Sequence, residues 1–276
     1  MIEQVVLGWV DPGEVSGRFM DSVMRILYAS QDAVSKGLRP DLVVPGHVRI
    51  ESGPRIASSR NKLVARFLDE PRFKDVEWLL MLDADMTFDE SLLVALFDGV
   101  RSREGRVERP LVGGLCFGGG HGSIVPTMYE IVDPDENDGS PVRVITDFTS
   151  GDVVQVDATG AACLLIHRGV LEAMALKFEE PFLWFAESVY LGREFGEDWT
   201  FCLRARSMGF PIYVNTNARV GHMKAVELNE TMWRTGQVGL SNPDAPTPAK
   251  PKLVIPTDAE VIPLNREQRR AMARIK

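Results

Sequence analysis

Trp78-Leu79-Leu80-Met81-Leu82-Asp83-Ala84-Asp85 is the stretch on which the fold turns. Its apolar run reads as a buried strand, and two acids one residue apart arrive as that strand ends. Asp89 then offers a cap to a helix whose buried stripe is Leu92, Leu93, Leu96 and Phe97. The order is strand, acid loop, helix. In open α/β sheets ligands gather beyond the carboxyl ends of strands, so Asp83 and Asp85 are placed to present oxygens to a cation. A hard divalent ion held by one or two carboxylates keeps positions free for phosphate oxygens and neutralises charge on a departing diphosphate. Alone, the pattern also fits a turn that Asp85 merely organises.

Towards the N-terminus the same alternation continues. A first strand is expected over Val5 to Val10, followed by the turn residues Asp11-Pro12-Gly13 and a helix with Phe19, Val23, Ile26 and Leu27 on one face. A strand around His47 to Ile50 leads into Ser52-Gly53-Pro54. The next helix carries Leu63, Val64, Phe67 and Leu68, with Ser58 or Ser59 as its expected cap. Strands alternating with helices predict an α/β fold with a mainly parallel central sheet flanked by helices.

Beyond Leu111 the regularity loosens. Six glycines crowd residues 113 to 122, and an acidic segment from Asp133 to Gly139 reads as an exposed loop. Strands are expected near Val153 to Val156 and Ala162 to Ile166, and a helix over Val170 to Met174. A stronger helix runs from Asp198 to Met208, stopped by Gly209, before a strand at Ile212 to Val214. From Ser241 onward the prolines at 243, 246, 248, 251, 256 and 263 favour extended chain. The expected organisation is one domain over 1–240, in two halves, 1–115 and 116–240. A Pro-rich tail (241–276) ends in a basic stretch, Asn265 to Lys276, that reads as a solvated terminus or a short helix.

Composition narrows the function. With 45% hydrophobic and 25% charged residues the chain of 276 is an ordinary globular sequence. A net charge of −8 argues against a general nucleic-acid binder, because phosphate neutralisation needs a basic face. No apolar run approaches the length of a membrane span, and Glu3 and Asp11 stand where a signal peptide carries basic and then apolar residues, so a cytoplasmic protein is expected. Cys116, Cys163 and Cys202 have no CxxC spacing and read as small buried hydrophobes.

The second chemical element is Gly196-Glu197-Asp198-Trp199, followed later by Val220-Gly221-His222. Taken singly, Asp198 reads as a helix cap and His222 as an ordinary surface or core histidine. In combination with Asp83-Ala84-Asp85, over roughly residues 1 to 225, the chain resembles the GT-A glycosyltransferases, particularly the large inverting family and its bacteriophage-encoded relatives. The resemblance implies that Asp83 and Asp85 hold a metal and touch the nucleotide ribose or diphosphate, with Ala84 between them. It implies that His222 completes the coordination, for which manganese is the suited ion and magnesium a possible one. Asp198 takes the place of the general base and Glu197 stands in reserve. Attack from the face opposite the leaving group then inverts the anomeric centre. UDP is the family's default nucleotide.

Further positions follow from the same resemblance. Arg60-Asn61 looks like the segment that opens the second helix near the nucleotide, where a guanidinium can meet uracil or phosphate; the plain reading of Arg60 is a helix-surface arginine. Gly160 resembles a small-residue loop beside the acceptor. Trp184 can stack on a sugar or pack in the core. No Gln-x-x-Arg-Trp segment follows the acid pair, which argues against a processive polysaccharide synthase. The phage relatives suggest a protein acceptor, such as a virion component, glycosylated in the host cytoplasm. Two alternatives stay open: a haloacid-dehalogenase-type phosphatase built on the DxDxT pattern of Asp83-Ala84-Asp85-Met86-Thr87, and a nucleotide-sugar-binding module without catalysis.

Overall fold

A computed structural model describes residues 3–36, 42–101, 109–120, 123–179, 181–190 and 193–224. The Pro-rich tail and its basic end lie outside the described residues. The core is a seven-stranded sheet. In chain order its strands are β1 (Glu3–Asp11), β2 (Leu42–Glu51), β3 (Trp78–Asp83), β4 (Leu111–Leu115), β5 (Val153–Val156), β6 (Cys163–His167) and β7 (Ile212–Arg219). Across the sheet they lie in the order β5-β7-β4-β6-β3-β1-β2. Five run in one direction, while β6 is antiparallel to both β3 and β4, and β5 is antiparallel to β7.

Side-chain alternation along these strands divides the interior into two apolar layers. Leu79 and Met81 of β3 and Leu164 and Ile166 of β6 face one layer, which also takes Leu63, Val64 and Phe67 of α2 (Ile56–Asp69). It contains Val170, Leu171 and Met174 of the helix Arg168–Lys177, and Phe201, Cys202 and Ala205 of the helix Glu197–Ser207. Trp78, Leu80 and Leu82 face the other, against Phe19, Val23 and Ile26 of α1 (Gly17–Ser35) and Leu92, Leu93, Leu96 and Phe97 of α3 (Leu92–Val100). The later helices are α4 (Arg168–Lys177) and α5 (Glu197–Ser207). A strand apolar at every position is therefore apolar for a reason: each buried side chain is worth about 1.5–3 kcal/mol, and β3 has helices on both faces.

Two expected caps differ. α2 begins at Ile56 with Arg55 at its cap position and no side-chain cap bond, so Ser58 and Ser59 fall inside its first turn. Asp89 precedes α3 by more than a cap: its carboxylate accepts the Ser91 N–H at 2.9 Å, forming a turn that launches the helix. At the end of α5 the reading holds, with Gly209 at φ +83° and its N–H donating to the Arg206 carbonyl at 2.9 Å.

Candidate active site

The parallel strands deliver their carboxyl ends to one edge of the sheet, and β6, running the other way, delivers its start there. Asp83 N–H accordingly bonds the Ala162 carbonyl at 3.0 Å, which brings the Ala158-to-Ala162 loop alongside the acid loop. A two-residue strand, Met86–Thr87, then pairs antiparallel with Gly221–His222, setting His222 opposite Met86. The Met223 N–H donates to the Asp85 carbonyl at 2.9 Å and closes this bridge. That short pairing brings His222 to Asp85.

Along this edge opens a cleft of about 590 Å³, lined by Val10 to Pro12 at the end of β1, Glu14 to Ser16 before α1, Ser52 after β2, Ile56 and Arg60 of α2, and Asp83 to Asp85. That volume suits a nucleotide-sized ligand. Its wall is braced by Asp11, whose buried carboxylate receives Arg49 Nε at 2.6 Å and Nη2 at 2.8 Å. These bonds to Arg49, reinforced by the Gly13 N–H, hold the Asp11 carboxyl below the ordinary range.

At the cleft floor the guanidinium of Arg60 is buried and donates through Nη2 to Asp83 Oδ1 at 2.6 Å and through Nη1 to Glu197 Oε1. Asp198 follows Glu197 at the start of α5. Burial pushes its carboxyl up, against the opposing pull of Arg60. One carboxylate oxygen, Oδ1, accepts the Trp199 N–H at 2.7 Å. The other looks towards Gly160, where an added Cβ would lie 3.7 Å away. Tyr129 stands nearby, its ring 5.0 Å from that of Trp199, and burial together with the Asp198 charge pushes its hydroxyl up.

Asp85 and His222 form a separate pair at the rim, Oδ2 to Nε2, at 3.0 Å. His222 Nδ1 lies 2.9 Å from the Phe117 carbonyl. A carbonyl only accepts, so Nδ1 carries the proton of that bond, and Nε2 meets the carboxylate either with a second proton or across a shared cation. This donor chemistry, an imidazole oriented by a backbone carbonyl beside a carboxylate, fits a divalent ion. Lys224 Nζ, 3.3 Å from Asp85 Oδ2, adds a positive charge at the same carboxylate. Among the described residues no three His, Cys, Asp or Glu side chains converge as metal ligands, and Asp83 Oδ1 is bonded to Arg60.

The structure thus brings Arg60, Asp83, Ala84, Asp85, Glu197, Asp198, Gly160 and His222 to one edge. Two residues take other roles. Asn61 does not face the cleft: its Nδ2 donates to the Ala57 and Phe185 carbonyls at 2.7 and 2.6 Å, and its Oδ1 accepts the Trp184 and Phe185 N–H groups. Trp184 is buried, with its indole N–H on the Leu171 carbonyl at 2.8 Å, so it packs in the core and offers no stacking face. Arg60 is likewise not a surface arginine. Sequence reasoning missed Lys224, Tyr129 and the Asp11–Arg49 brace. Lys224 had a usable signal in its place two residues after His222; the others carry none.

No family model matches the sequence, and no curated protein matches it significantly. Solved structures do resemble it. A197 from STIV is 17% identical, with a TM-score of 0.45 over 87% of this chain and 95% of that one. GalNAc-T7, crystallised with UDP, GalNAc and Mn2+, is 13% identical with a TM-score of 0.48, over 82% of this chain and 44% of its own. A glycosyltransferase involved in glycosylation of the major capsid of PBCV-1 is 11% identical, with a TM-score of 0.30 over 62% of each chain. These are likenesses of chain path; the chemistry of this chain rests on its own cleft.

Proposed function

We propose that this chain is a glycosyltransferase that moves a sugar from a nucleotide diphosphate donor, UDP-linked by preference, to an acceptor hydroxyl with inversion. The observation that carries the reading is that the Asp83–Arg60–Glu197 bridge, with Asp198 next to it, and the Asp85–His222 pair both lie at one edge of the sheet beside a nucleotide-sized cleft.

The donor would lie along the cleft, whose walls include Ser16, Ser52, Arg60 and Ala84, with its diphosphate towards Asp85 and the His222 paired to it. Asp85 and His222, with Asp83 Oδ2 in the same loop, would hold manganese or magnesium, which would supply charge neutralisation for the leaving diphosphate. Asp198 accepts the proton of the acceptor hydroxyl as its oxygen bonds to the anomeric carbon, and the bond from that carbon to the diphosphate oxygen breaks with its electron pair going to the diphosphate. A carboxyl raised by burial holds that proton better than an exposed aspartate does, which suits a general base. Glu197, ion-paired with Arg60, is less free to take this role. Gly160 leaves room in front of Asp198 for the acceptor.

In this reading residues 1–115 supply the donor cleft and the described residues from 116 onward supply the acceptor side. Among the described residues no helix is long and apolar enough to cross a membrane. A cytoplasmic enzyme acting on a protein, in the manner of a phage-encoded member, is the form of the proposal that the sequence resemblance favours. The phosphatase alternative needs Asp83 as a free nucleophile, and its ion pair with a buried guanidinium counts against that.

The test is a thermal-shift screen of nucleotide sugars with and without manganese, followed by donor hydrolysis with the best ligand. The proposal expects one donor to raise the midpoint only with metal and to be hydrolysed. Turnover of an aryl phosphate that Asp83→Asn abolishes, with no response to any nucleotide sugar, contradicts it.

A further inference from the structure

We infer that Arg60 is a positioning residue which pins the acid loop after β3 to the first turn of α5, holding the donor-side and acceptor-side carboxylates in one geometry. The reaction it serves rests on the glycosyltransferase reading; the clamp rests on the fold. Its side chain is 5% exposed and bridges two acids that lie 23 and 137 positions away in the chain. The guanidinium carbon sits 5.8 Å from the centre of the Phe185 ring, and Phe185 stacks on Phe201 of α5 at 4.7 Å. Next to it, Asn61 ties the 184–185 backbone to α2. Two consecutive residues of α2 therefore fasten the α5 side of the cleft, one through a neutral backbone clasp and one through charge.

The chemistry needs an arginine. A planar fork donates to two carboxylates at once along fixed directions, whereas an ammonium is a compact point charge whose rotatable donors fix no such geometry. Three acids, Asp83, Glu197 and Asp198, crowd this floor and all act on the Arg60 charge. Without the guanidinium they repel one another, and the loop and helix start move apart. With two of its faces taken by protein carboxylates, Arg60 shapes the site instead of reading the uracil.

A double-mutant cycle of Arg60→Met and Glu197→Gln tests this, with Arg60→Lys as the conservative variant. Thermal midpoints of the ligand-free proteins are measured first. The clamp predicts that each single substitution lowers the midpoint and that the double variant loses clearly less than their sum. Transfer by Arg60→Met should fall on the order of 100-fold in kcat while donor KM stays within about threefold, and Arg60→Lys should restore only a minor part. Additive midpoints, or a loss confined to donor KM, overturn the clamp. If Arg60→Met does not fold, the same cycle is run with Arg60→Lys, where Glu197→Gln must cost less than in the parent. Coupled midpoints in a protein that turns over no nucleotide sugar sink the glycosyltransferase reading and leave the clamp standing. Turnover with additive midpoints does the reverse.

Discussion

At Asp198 one environment bears both on stability and on the base role proposed for it. Burial favours its neutral form, Arg60 favours the charged form, and burial prevails. The folded state therefore binds this proton more tightly than the unfolded chain does, and its contribution to stability falls as pH rises from the ordinary aspartate value through the raised one. A base acts only when deprotonated, so the acidic limb of kcat/KM should lie above the ordinary aspartate range. Asp198→Asn should lower kcat/KM by about 10²–10⁴-fold yet melt no lower than the parent at pH 7, read by steady-state assay and calorimetry. Asp11 has the opposite sign. Its bonds to Arg49 lower its pKa, so the stability it contributes is present above the ordinary carboxylate value and lost as pH falls through the folded one. Asp11→Asn should cost about 1.5–3 kcal/mol in urea unfolding at pH 7, a difference that closes in acid.

At the scale of elements, two glycines separate packing from chemistry. A Cβ at Gly114 on β4 meets the Ala218 carbonyl and Cys163 Sγ, each at 2.9 Å, so Gly114→Ala should destabilise by about 1–3 kcal/mol. At Gly160 the nearest atom is Asp198 Oδ2 at 3.7 Å, an ordinary contact. Gly160→Ala should leave the denaturation midpoint unchanged and raise the acceptor KM, because the methyl occupies the space before the base. The same distinction explains what the sequence revealed. β3, α3 and α5 were legible because an unbroken apolar run, a 3.6-residue stripe and a glycine stop each have one physical meaning. The Met86–Thr87 pairing with Gly221–His222 was not, since two residues have no period, and yet it brings His222 to Asp85. Core packing was one of the two readings open for Trp184, whereas the inward turn of Asn61 was not legible, because a polar residue near a helix start says nothing of which partners it meets. Only the fold shows them bonded to each other's segment.

The whole molecule places its chemistry by strand direction. β1, β2 and β3 end where the cleft opens, and the reversed β6 begins at the same edge, so residues from both halves of the chain face each other. Alternating apolar and helical segments foretold the sheet, but not which strand would run backwards, because an apolar strand buried on both faces reads the same in either direction. The central claim is that Asp85 and His222 hold a divalent ion on which a nucleoside diphosphate in this cleft depends. A crystal structure with UDP and Mn2+, phased to show manganese by anomalous scattering, tests it most directly. The account predicts a manganese peak shared by Asp85 Oδ2 and His222 Nε2, with diphosphate oxygens completing its shell and the nucleoside between Asp11 and Arg60. Manganese elsewhere, or UDP bound outside the cleft, contradicts it.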